Sequence, residues 1–167
     1  MKLFSLLFSA AMICAASSLS AQHTLPNVEA KGLDGQTVNL LEAYGGENGK
    51  ITIISFWATW CKPCQAELDA ISDFYSEWKE DLNVELVAIS IDDQRAIAKV
   101  GPLVETKGWD YTVLLGNENT MRNSFNFSSI PQTFVVDKSG NIAYIHNGYS
   151  PGDEEELDEQ IRKISEK

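Results

Sequence analysis

The chain has 167 residues, of which 44% are hydrophobic and 22% charged, values that are ordinary for a single folded soluble domain. Acidic residues outnumber basic ones by 24 to 13, and the formal net charge is −11. This balance, without clustered Lys and Arg, argues against binding of nucleic acid and against docking on anionic lipid surfaces. The three cysteines are too few for a disulfide-dense scaffold.

Residues 1–21 have the pattern of a secretory signal peptide. Lys2 precedes an apolar run that continues to Ala16, and small residues follow it as far as Ala21. The run is short for a membrane span of about 20 residues, and serines dilute it. We therefore predict cleavage near Ala21, export to the periplasm and one mature domain over 22–167. An uncleaved signal that anchors the protein in the membrane is the alternative.

Cleavage would remove Cys14 and leave Cys61 and Cys64 as the only cysteine pair in an oxidising compartment. A disulfide between such near neighbours closes a tiny loop, so it adds little stability by constraining the unfolded chain. A zinc site would need further ligands, and His23 and His146 lie far away in sequence. The pair therefore points to redox chemistry rather than to a structural or metal-binding role.

Apolar patterns and turn signals predict the first half of the fold in chain order. They indicate a hairpin over 28–40 around an Asp-Gly turn, a loop over 45–50, a buried strand over 51–57, an amphipathic helix over 62–80 and a second buried strand over 84–91. A strand, a long helix and a strand form a βαβ unit, which requires parallel pairing and a right-handed crossover.

The second half of the chain alternates in the same way. The patterns predict a helix over 93–107 that Gly101-Pro102 should kink or split, a strand over 111–115, a short helix over 119–125, a hairpin over 133–145 and a last helix over 152–167. A mixed sheet with helices on both faces satisfies this order, so the predicted class is α/β.

An acidic run over 153–159 opens the last predicted helix. Carboxylates in a first helical turn complement the positive end of the helix dipole, and Arg162, Lys163 and Lys167 complement the other end. We interpret the run as a solvated helix start; a patch that binds a partner is the alternative.

The most informative segment is Trp57-Ala58-Thr59-Trp60-Cys61-Lys62-Pro63-Cys64, where the first buried strand ends and a helix begins. A cysteine at a helix N-terminus faces unpaired backbone N–H groups and the positive end of the dipole, which favour the thiolate. The spacing lets the second cysteine reach back and close a disulfide, and proline fits a first helical turn.

A second element, Ser129-Ile130-Pro131-Gln132-Thr133, places a proline directly before a strand. With these elements the sequence resembles the thioredoxin superfamily and, within it, the exported TlpA/ResA-like thiol:disulfide oxidoreductases. The segments that carry the resemblance are Leu33-Asp34-Gly35, Phe56 with the segment above, Gly108-Trp109, Ile130-Pro131-Gln132-Thr133 and Val136-Asp137-Lys138-Ser139-Gly140. The resemblance implies a thioredoxin-like fold, with a central mixed sheet flanked by helices and an N-terminal β-hairpin.

The resemblance also implies roles for the residues of the motif. Cys61 matches the attacking, more exposed cysteine, and Cys64 matches the resolving one. Lys62 and Pro63 occupy the variable pair that tunes the reduction potential, and with the neighbouring Trp60 they are expected to contact the client protein. Trp57 is expected to be mainly a packing residue.

Pro131 matches the cis-proline of the family, which lies against the disulfide and helps to dock an extended client strand. Ile130 is expected to contact the same strand. An ordinary proline at the start of a strand is the alternative.

Glu67 matches an acidic residue that this subgroup carries near the active site. In a helix it lies about one turn beyond Cys64, where it could accept the proton of that thiol; a solvated helix carboxylate is the alternative. Two departures from the family pattern stand out. Ser55 occupies the place of a buried Asp, which implies that this acid/base aid is absent, and Asp69 stands where many relatives have a helix-kinking proline.

We therefore predict an exported enzyme that exchanges disulfides with client proteins, without a metal or a cofactor. Strong oxidants commonly stabilise their thiolate with a His or a positive charge near the attacking sulfur. The intervening pair Lys62-Pro63 has no His, and Glu67 is close in sequence, so the prediction favours a reductant. It would be recharged by a thiol protein that donates electrons from the membrane, and its clients would be an apocytochrome c, another oxidoreductase or a damaged secreted protein.

Three other functions are alternatives. A dithiol oxidase or a disulfide isomerase would use the same site, and a periplasmic binding module would carry the disulfide as a structural bond. A thiol peroxidase normally keeps its nucleophile in a Thr-x-x-Cys context, which this sequence lacks.

Overall fold

The computed structural model describes residues 24–46 and 49–166, so the predicted signal peptide lies outside the described residues. Within them the strands are β1 (Glu29–Gly32), β2 (Thr37–Asn39), β3 (Ile51–Trp57), β4 (Val84–Ser90), β5 (Thr112–Leu115), β6 (Gln132–Val136) and β7 (Ile142–Asn147). The helices are α1 (Leu40–Tyr44), α2 (Lys62–Asp81), α3 (Val100–Lys107), α4 (Glu118–Phe125) and α5 (Asp153–Ser165). No helix in this part of the chain is long and apolar enough to cross a membrane.

The strands form one mixed sheet in the order β2-β1-β5-β4-β3-β6-β7. The central strands β3, β4 and β5 are parallel, and the remaining neighbours pair antiparallel. The predicted βαβ unit is confirmed, and so is the N-terminal hairpin, which adds to the sheet through β1 and β5. This is the predicted thioredoxin-like α/β architecture.

β3 is the centre of the core, because both of its edges are paired and all seven of its residues are buried. Its side chains alternate between the two faces of the sheet. Ser55 meets α2 on one face through Glu67, while Phe56 packs against Phe125 of α4 on the other, with ring centroids 4.8 Å apart. The sheet is therefore covered on both faces, which explains the continuous apolar run of β3.

α2 runs unbroken over Lys62–Asp81, so the absence of the family's proline at Asp69 leaves one continuous helix. Asp69 instead accepts hydrogen bonds from Lys107 at the end of α3 and from the indole of Trp109, at 3.0 Å in the second case. The residue that replaces the proline thus ties α2 to the segment before β5.

The predicted helix over 93–107 is divided, but not where the sequence analysis placed the break. A 3-10 turn over Ile97–Lys99 precedes α3, and Gly101-Pro102 lie in the first turn of α3. Proline is tolerated there because the N–H groups of a first turn have no partner within the helix. The short α1, which was not predicted, begins after Asn39, whose side chain accepts a hydrogen bond from the Glu42 N–H.

The acidic run over 153–159 opens α5, as predicted, but its carboxylates are not merely solvated. Asp153 lies 3.1 Å from His146 of β7, and Asp158 accepts a hydrogen bond of 2.7 Å from the indole of Trp78 in α2. The interpretation as a solvated helix start is therefore wrong for these two residues, which join α5 to the sheet edge and to α2.

Candidate active site

The two cysteines lie at the point where β3 delivers the chain into α2. Cys61 is the N-cap residue of α2, and its Sγ accepts a hydrogen bond of 3.3 Å from the N–H of Cys64. The sulfurs are joined in a disulfide of 2.01 Å, with Cα atoms 5.3 Å apart. Pro63 stands in the first turn of the helix, where its missing N–H costs nothing.

The two sulfurs differ in their access to solvent. Cys61 retains 6% of its surface and Cys64 retains none. Trp60, directly before the pair, is 60% exposed, and Lys62 and Pro63 are exposed as well. A partner that approaches this end of the molecule can therefore contact Cys61 and the Trp60 ring, whereas Cys64 has no exposed surface.

The loop before Cys61 is held by residues that the sequence analysis did not identify. The buried carboxylate of Asp92, just after β4, accepts hydrogen bonds from the N–H and the hydroxyl of Thr59 at 2.8 and 2.6 Å. The side chain of Gln65 donates to the Thr59 carbonyl at 2.7 Å, from the first turn of α2. The signal was the polar Ser90-x-Asp92 at the end of an apolar strand, since Ser90 also donates to Asp92 at 2.8 Å.

Pro131 lies at the same end of the sheet as the cysteines. Gln132 opposes Phe56 in the register of β6 against β3, so the residue before Gln132 stands beside the point where β3 ends. Pro131 is buried, Ile130 is half-buried, and the peptide bond between them is cis, as predicted. The carbonyl of Pro131 accepts a hydrogen bond of 2.9 Å from the N–H of Gly148, which ties it to the segment after β7.

Glu67 is a buried carboxyl group with only 3% of its surface exposed, so the alternative of a solvated helix carboxylate is wrong. Its two oxygens accept hydrogen bonds from the hydroxyls of Thr133 at 2.9 Å and Ser55 at 3.2 Å. Burial raises the pKa of Glu67 from its ordinary 4.5 to about 7, although the two hydroxyls partly oppose the shift. The group can therefore gain or lose a proton near neutral pH.

The hydroxyl of Ser55 donates a hydrogen bond to a buried carboxyl group. The sequence implied that replacement of a buried Asp by Ser55 leaves the site without a carboxyl group from β3. The structure shows that α2 supplies one instead, because Glu67 reaches the Ser55 hydroxyl across the space between helix and sheet. As the sequence implied, β3 itself supplies no carboxyl group here, and Glu67 of α2 brings one to the same place.

A groove of about 260 Å³ lies against Trp60. Thr59, Trp60, Ala96, Lys99 and Leu103 line it. Trp57, the last residue of β3, is fully buried. Its ring packs edge-on against that of Trp109, with ring centroids 5.1 Å apart, which confirms its expected packing role. The two tryptophans of the motif thus serve different purposes, one inside the core and one on the surface.

A mixed sheet that carries a disulfide at the N-terminus of the helix after its central strand is the architecture of thioredoxin-like proteins. Within that class, the chain belongs to the AhpC/TSA family, whose model matches residues 21–145.

Named relatives support the same placement. The thiol-disulfide oxidoreductase ResA of Geobacillus kaustophilus is 29% identical over 100 residues, which cover 60% of this chain and 56% of that protein. The match thus spans little more than half the length of that relative. The thioredoxin-like protein YneN of Bacillus subtilis is 30% identical over 124 residues, which cover 74% of this chain and 69% of that protein.

Solved structures agree in fold. An uncharacterized thioredoxin-like protein from Porphyromonas gingivalis is 40% identical, with a TM-score of 0.73 over 87% of this chain and 94% of that one. A putative thiol:disulfide interchange protein DsbE from Chlorobium tepidum is 22% identical, with a TM-score of 0.75 over 86% and 96% of the two chains, and shows the fold alone. The predicted TlpA/ResA-like resemblance, the fold and the class of enzyme are confirmed.

Proposed function

We propose that the protein is an exported thiol:disulfide oxidoreductase that reduces disulfides in client proteins through Cys61 and Cys64. The observation that carries the proposal is the unequal exposure of two bonded sulfurs at a helix N-terminus, beside an exposed aromatic ring. A structural disulfide needs neither the helix end nor the exposed Trp60.

The reaction balances in two exchanges. In the reduced enzyme the Cys61 thiolate attacks one sulfur of the client disulfide, which forms a mixed disulfide and releases the other client sulfur as a thiolate. Cys64 then loses its proton and attacks the sulfur of Cys61, which releases the second client thiolate and leaves the Cys61–Cys64 disulfide. Two electrons pass to the client, and a second thiol protein must return them.

Roles follow from position. Cys61 is the nucleophile because the N–H of Cys64 and the helix end stabilise its thiolate. Glu67, one turn beyond Cys64, is the group that accepts the proton of Cys64, since its pKa of about 7 suits proton transfer near neutral pH. Trp60, Lys62 and Pro63 form the surface that meets the client.

Ile130 and Pro131 also belong to the client site, since they precede β6 beside the point where β3 ends. Their segment leads into β6 and is tied by Gly148 to the chain after β7. We propose that an extended client strand docks along this segment by main-chain hydrogen bonds, as an added strand.

The direction of exchange is proposed from charge. The pair between the cysteines offers one exposed Lys62, which solvent and salt screen, and no imidazole. A buried carboxyl group stands one turn into the same helix. This balance stabilises the Cys61 thiolate less than in a strong oxidant, so the reduced form gives up its electrons more readily.

Export, residence in the periplasm, an apocytochrome c as client and a membrane thiol donor belong to the same proposal. The apolar run of the first 21 residues supports export. The name of ResA, thiol-disulfide oxidoreductase, supports disulfide-bonded proteins as clients.

The test is equilibration of the purified protein with glutathione buffers, followed by alkylation to count free thiols. A reductant equilibrates at a potential below that of the glutathione couple. A reduction potential of about −120 mV, the value of strong oxidants, would reverse the proposed direction of exchange. A pair that mild reductant leaves intact would replace the proposal with a binding module that carries a structural disulfide.

Clients are identified with a Cys64→Ala variant, which stops the reaction at the mixed disulfide. The matched control is Cys61→Ala, which retains one thiol but lacks the nucleophile. Disulfide-linked proteins recovered with the first variant and absent from the second are clients of the site.

A further inference from the structure

His146 lies beside the hydroxyl that holds Glu67, although the two residues are far apart in sequence. In the register of β6 against β7, Thr133 is directly opposite His146. Side chains of directly opposed residues stand on the same face of a sheet. The Thr133 hydroxyl donates to Glu67 on that face, so His146 shares the side of the sheet on which α2 and α5 pack.

Both ring nitrogens of His146 have hydrogen-bond partners. Nε2 lies 3.1 Å from the carboxylate of Asp153, and Nδ1 lies 3.4 Å from the hydroxyl oxygen of Tyr144. Tyr144 also donates a hydrogen bond of 3.1 Å to the carboxylate of Glu156.

The net charge of this pair changes with a single proton. With charged His146, the pair formed with Asp153 is neutral; with neutral His146, it carries one negative charge. Asp153 is held in place independently, because it accepts a hydrogen bond of 2.7 Å from the N–H of Ser150.

The two members of the pair act on Glu67 in opposite directions. The imidazole of His146 lowers the pKa of Glu67, and the carboxylate of Asp153 raises it. Two phenols also interact with the charge of Glu67, but burial raises the pKa of Tyr149 to about 12 and that of Tyr111 further, so both stay neutral. Cys64 lies one turn back from Glu67 in α2.

We propose that His146 and Asp153 form a positioning pair that couples the proton of Glu67 to the charge of His146. When His146 loses its proton, the pair becomes negative and Glu67 keeps its own proton to a higher pH. The edge strand β7 thereby sets the pH range in which Glu67 can accept a proton from Cys64. This last consequence rests on the function proposed above for Glu67, whereas the coupling itself does not.

The coupling is tested in the oxidised protein by ¹³C NMR of the Glu side-chain carboxyl groups, with Glu67 assigned by its loss in Glu67→Gln. His146→Gln removes the cation and leaves Asp153, so the midpoint of the Glu67 titration should move up by about one pH unit. Asp153→Asn removes the anion, so the midpoint should move down. Glu159→Gln, which removes an exposed carboxylate of α5 that pairs with Lys163, is the matched control and should leave it in place.

Opposite shifts in the two variants, with none in the control, support the pair. Midpoints that stay put in both variants, or that move in the same direction, overturn it. Circular dichroism of each variant verifies that the fold is retained.

The rate at which Cys64 resolves a mixed disulfide, measured against pH in the same variants, separates the two proposals. Parallel shifts of the rate profile join the pair to the reaction. Shifted NMR midpoints with an unchanged rate profile would count against the role of Glu67 in exchange and leave the coupling intact.

Discussion

The hydroxyl of Thr133 donates a hydrogen bond of 2.9 Å to the carboxyl group of Glu67, across 66 positions of sequence. The contact joins the strand that follows the cis-proline to the helix that carries both cysteines. It places an ionisable group, buried to 3% exposure, between the two segments that the sequence marks as functional.

Cys61 should be the more reactive thiol of the reduced protein. We expect Cys64→Ser to be alkylated by iodoacetamide well below pH 8.5, the ordinary value for a cysteine, because the helix end and the Cys64-position N–H stabilise the Cys61 thiolate. Cys61→Ser retains only the fully buried sulfur, so it should react at least about tenfold more slowly. Faster alkylation of Cys61→Ser would exchange the roles of the two cysteines.

Glu67→Gln should slow the resolution of the mixed disulfide while the first attack by Cys61 keeps its rate. The amide oxygen can accept from one of the two hydroxyls, Ser55 or Thr133, and the amide NH₂ can donate to the other, but the amide cannot take the proton of Cys64. A reduction of about tenfold or more at pH 7 is expected in stopped-flow measurements. Asp73→Asn, which changes an exposed carboxylate on the same helix, is the control; an effect of equal size there would show that charge alone is responsible.

The stability of the oxidised protein should depend on pH through Glu67. Its pKa is about 7 in the folded protein against an ordinary 4.5, so the unfolded chain releases the proton first and stability is lost as pH rises from 4.5 to 7. Below pH 4.5 both states hold the proton, and this contribution vanishes. Glu67→Gln lacks the titration, so its free energy of unfolding relative to wild type should increase between pH 4.5 and pH 8 by about 3 kcal/mol.

Urea unfolding of the wild type and Glu67→Gln at several pH values measures this difference, since all other titrations are shared. A difference that is constant with pH would mean that Glu67 titrates at its ordinary value. Asp73→Asn, compared in the same way, should show no such trend.

Asp92→Asn should destabilise the loop that presents Trp60 and Cys61. The carboxylate is buried and accepts three hydrogen bonds, from the N–H and the hydroxyl of Thr59 and from the hydroxyl of Ser90. Replacement of one oxygen by an NH₂ group sets a donor against a donor, which should lower the free energy of unfolding by about 1–3 kcal/mol. Glu105→Gln, on the exposed side of α3, should change it by less than about 0.5 kcal/mol in the same urea experiment.

Trp60→Ala should impair exchange with protein clients and spare exchange with a small disulfide. The ring is 60% exposed and borders the groove formed with Lys99 and Leu103, so its contacts are available to a partner rather than to the core. We expect a raised KM for a disulfide-bonded model protein and an unchanged rate with oxidised glutathione. Equal losses with both substrates would indicate that Trp60 acts on Cys61 itself.

The elements that depend on residues close together in the chain could be predicted from the amino-acid sequence. Continuous apolar runs predict buried central strands, the helix after the first of them brings Cys61 and Cys64 to its N-terminus, and a proline before a strand marks the neighbouring segment. Each of these signals lies within a few residues of its consequence, and the strands, helices and disulfide agree with it. The break near Gly101-Pro102 was also a local signal; it lies just before this pair, between Lys99 and Val100, because proline fits a first helical turn.

The burial and the hydrogen-bond partners of the residues around the cysteines could not be predicted, because they come from distant segments of the chain. From its helix position Glu67 could be either an active-site acid or a solvated carboxylate. Its burial follows only from the pairing of Ser55 with Thr133 on adjacent strands. His146 reads as a lone histidine, and Asp153 as one member of a solvated acidic run, until β7 and α5 bring them to 3.1 Å. The physical reason is that the pKa and the hydrogen-bond partners of a side chain depend on desolvation and on charges that the fold brings from distant positions, and neither is written in the residues beside it.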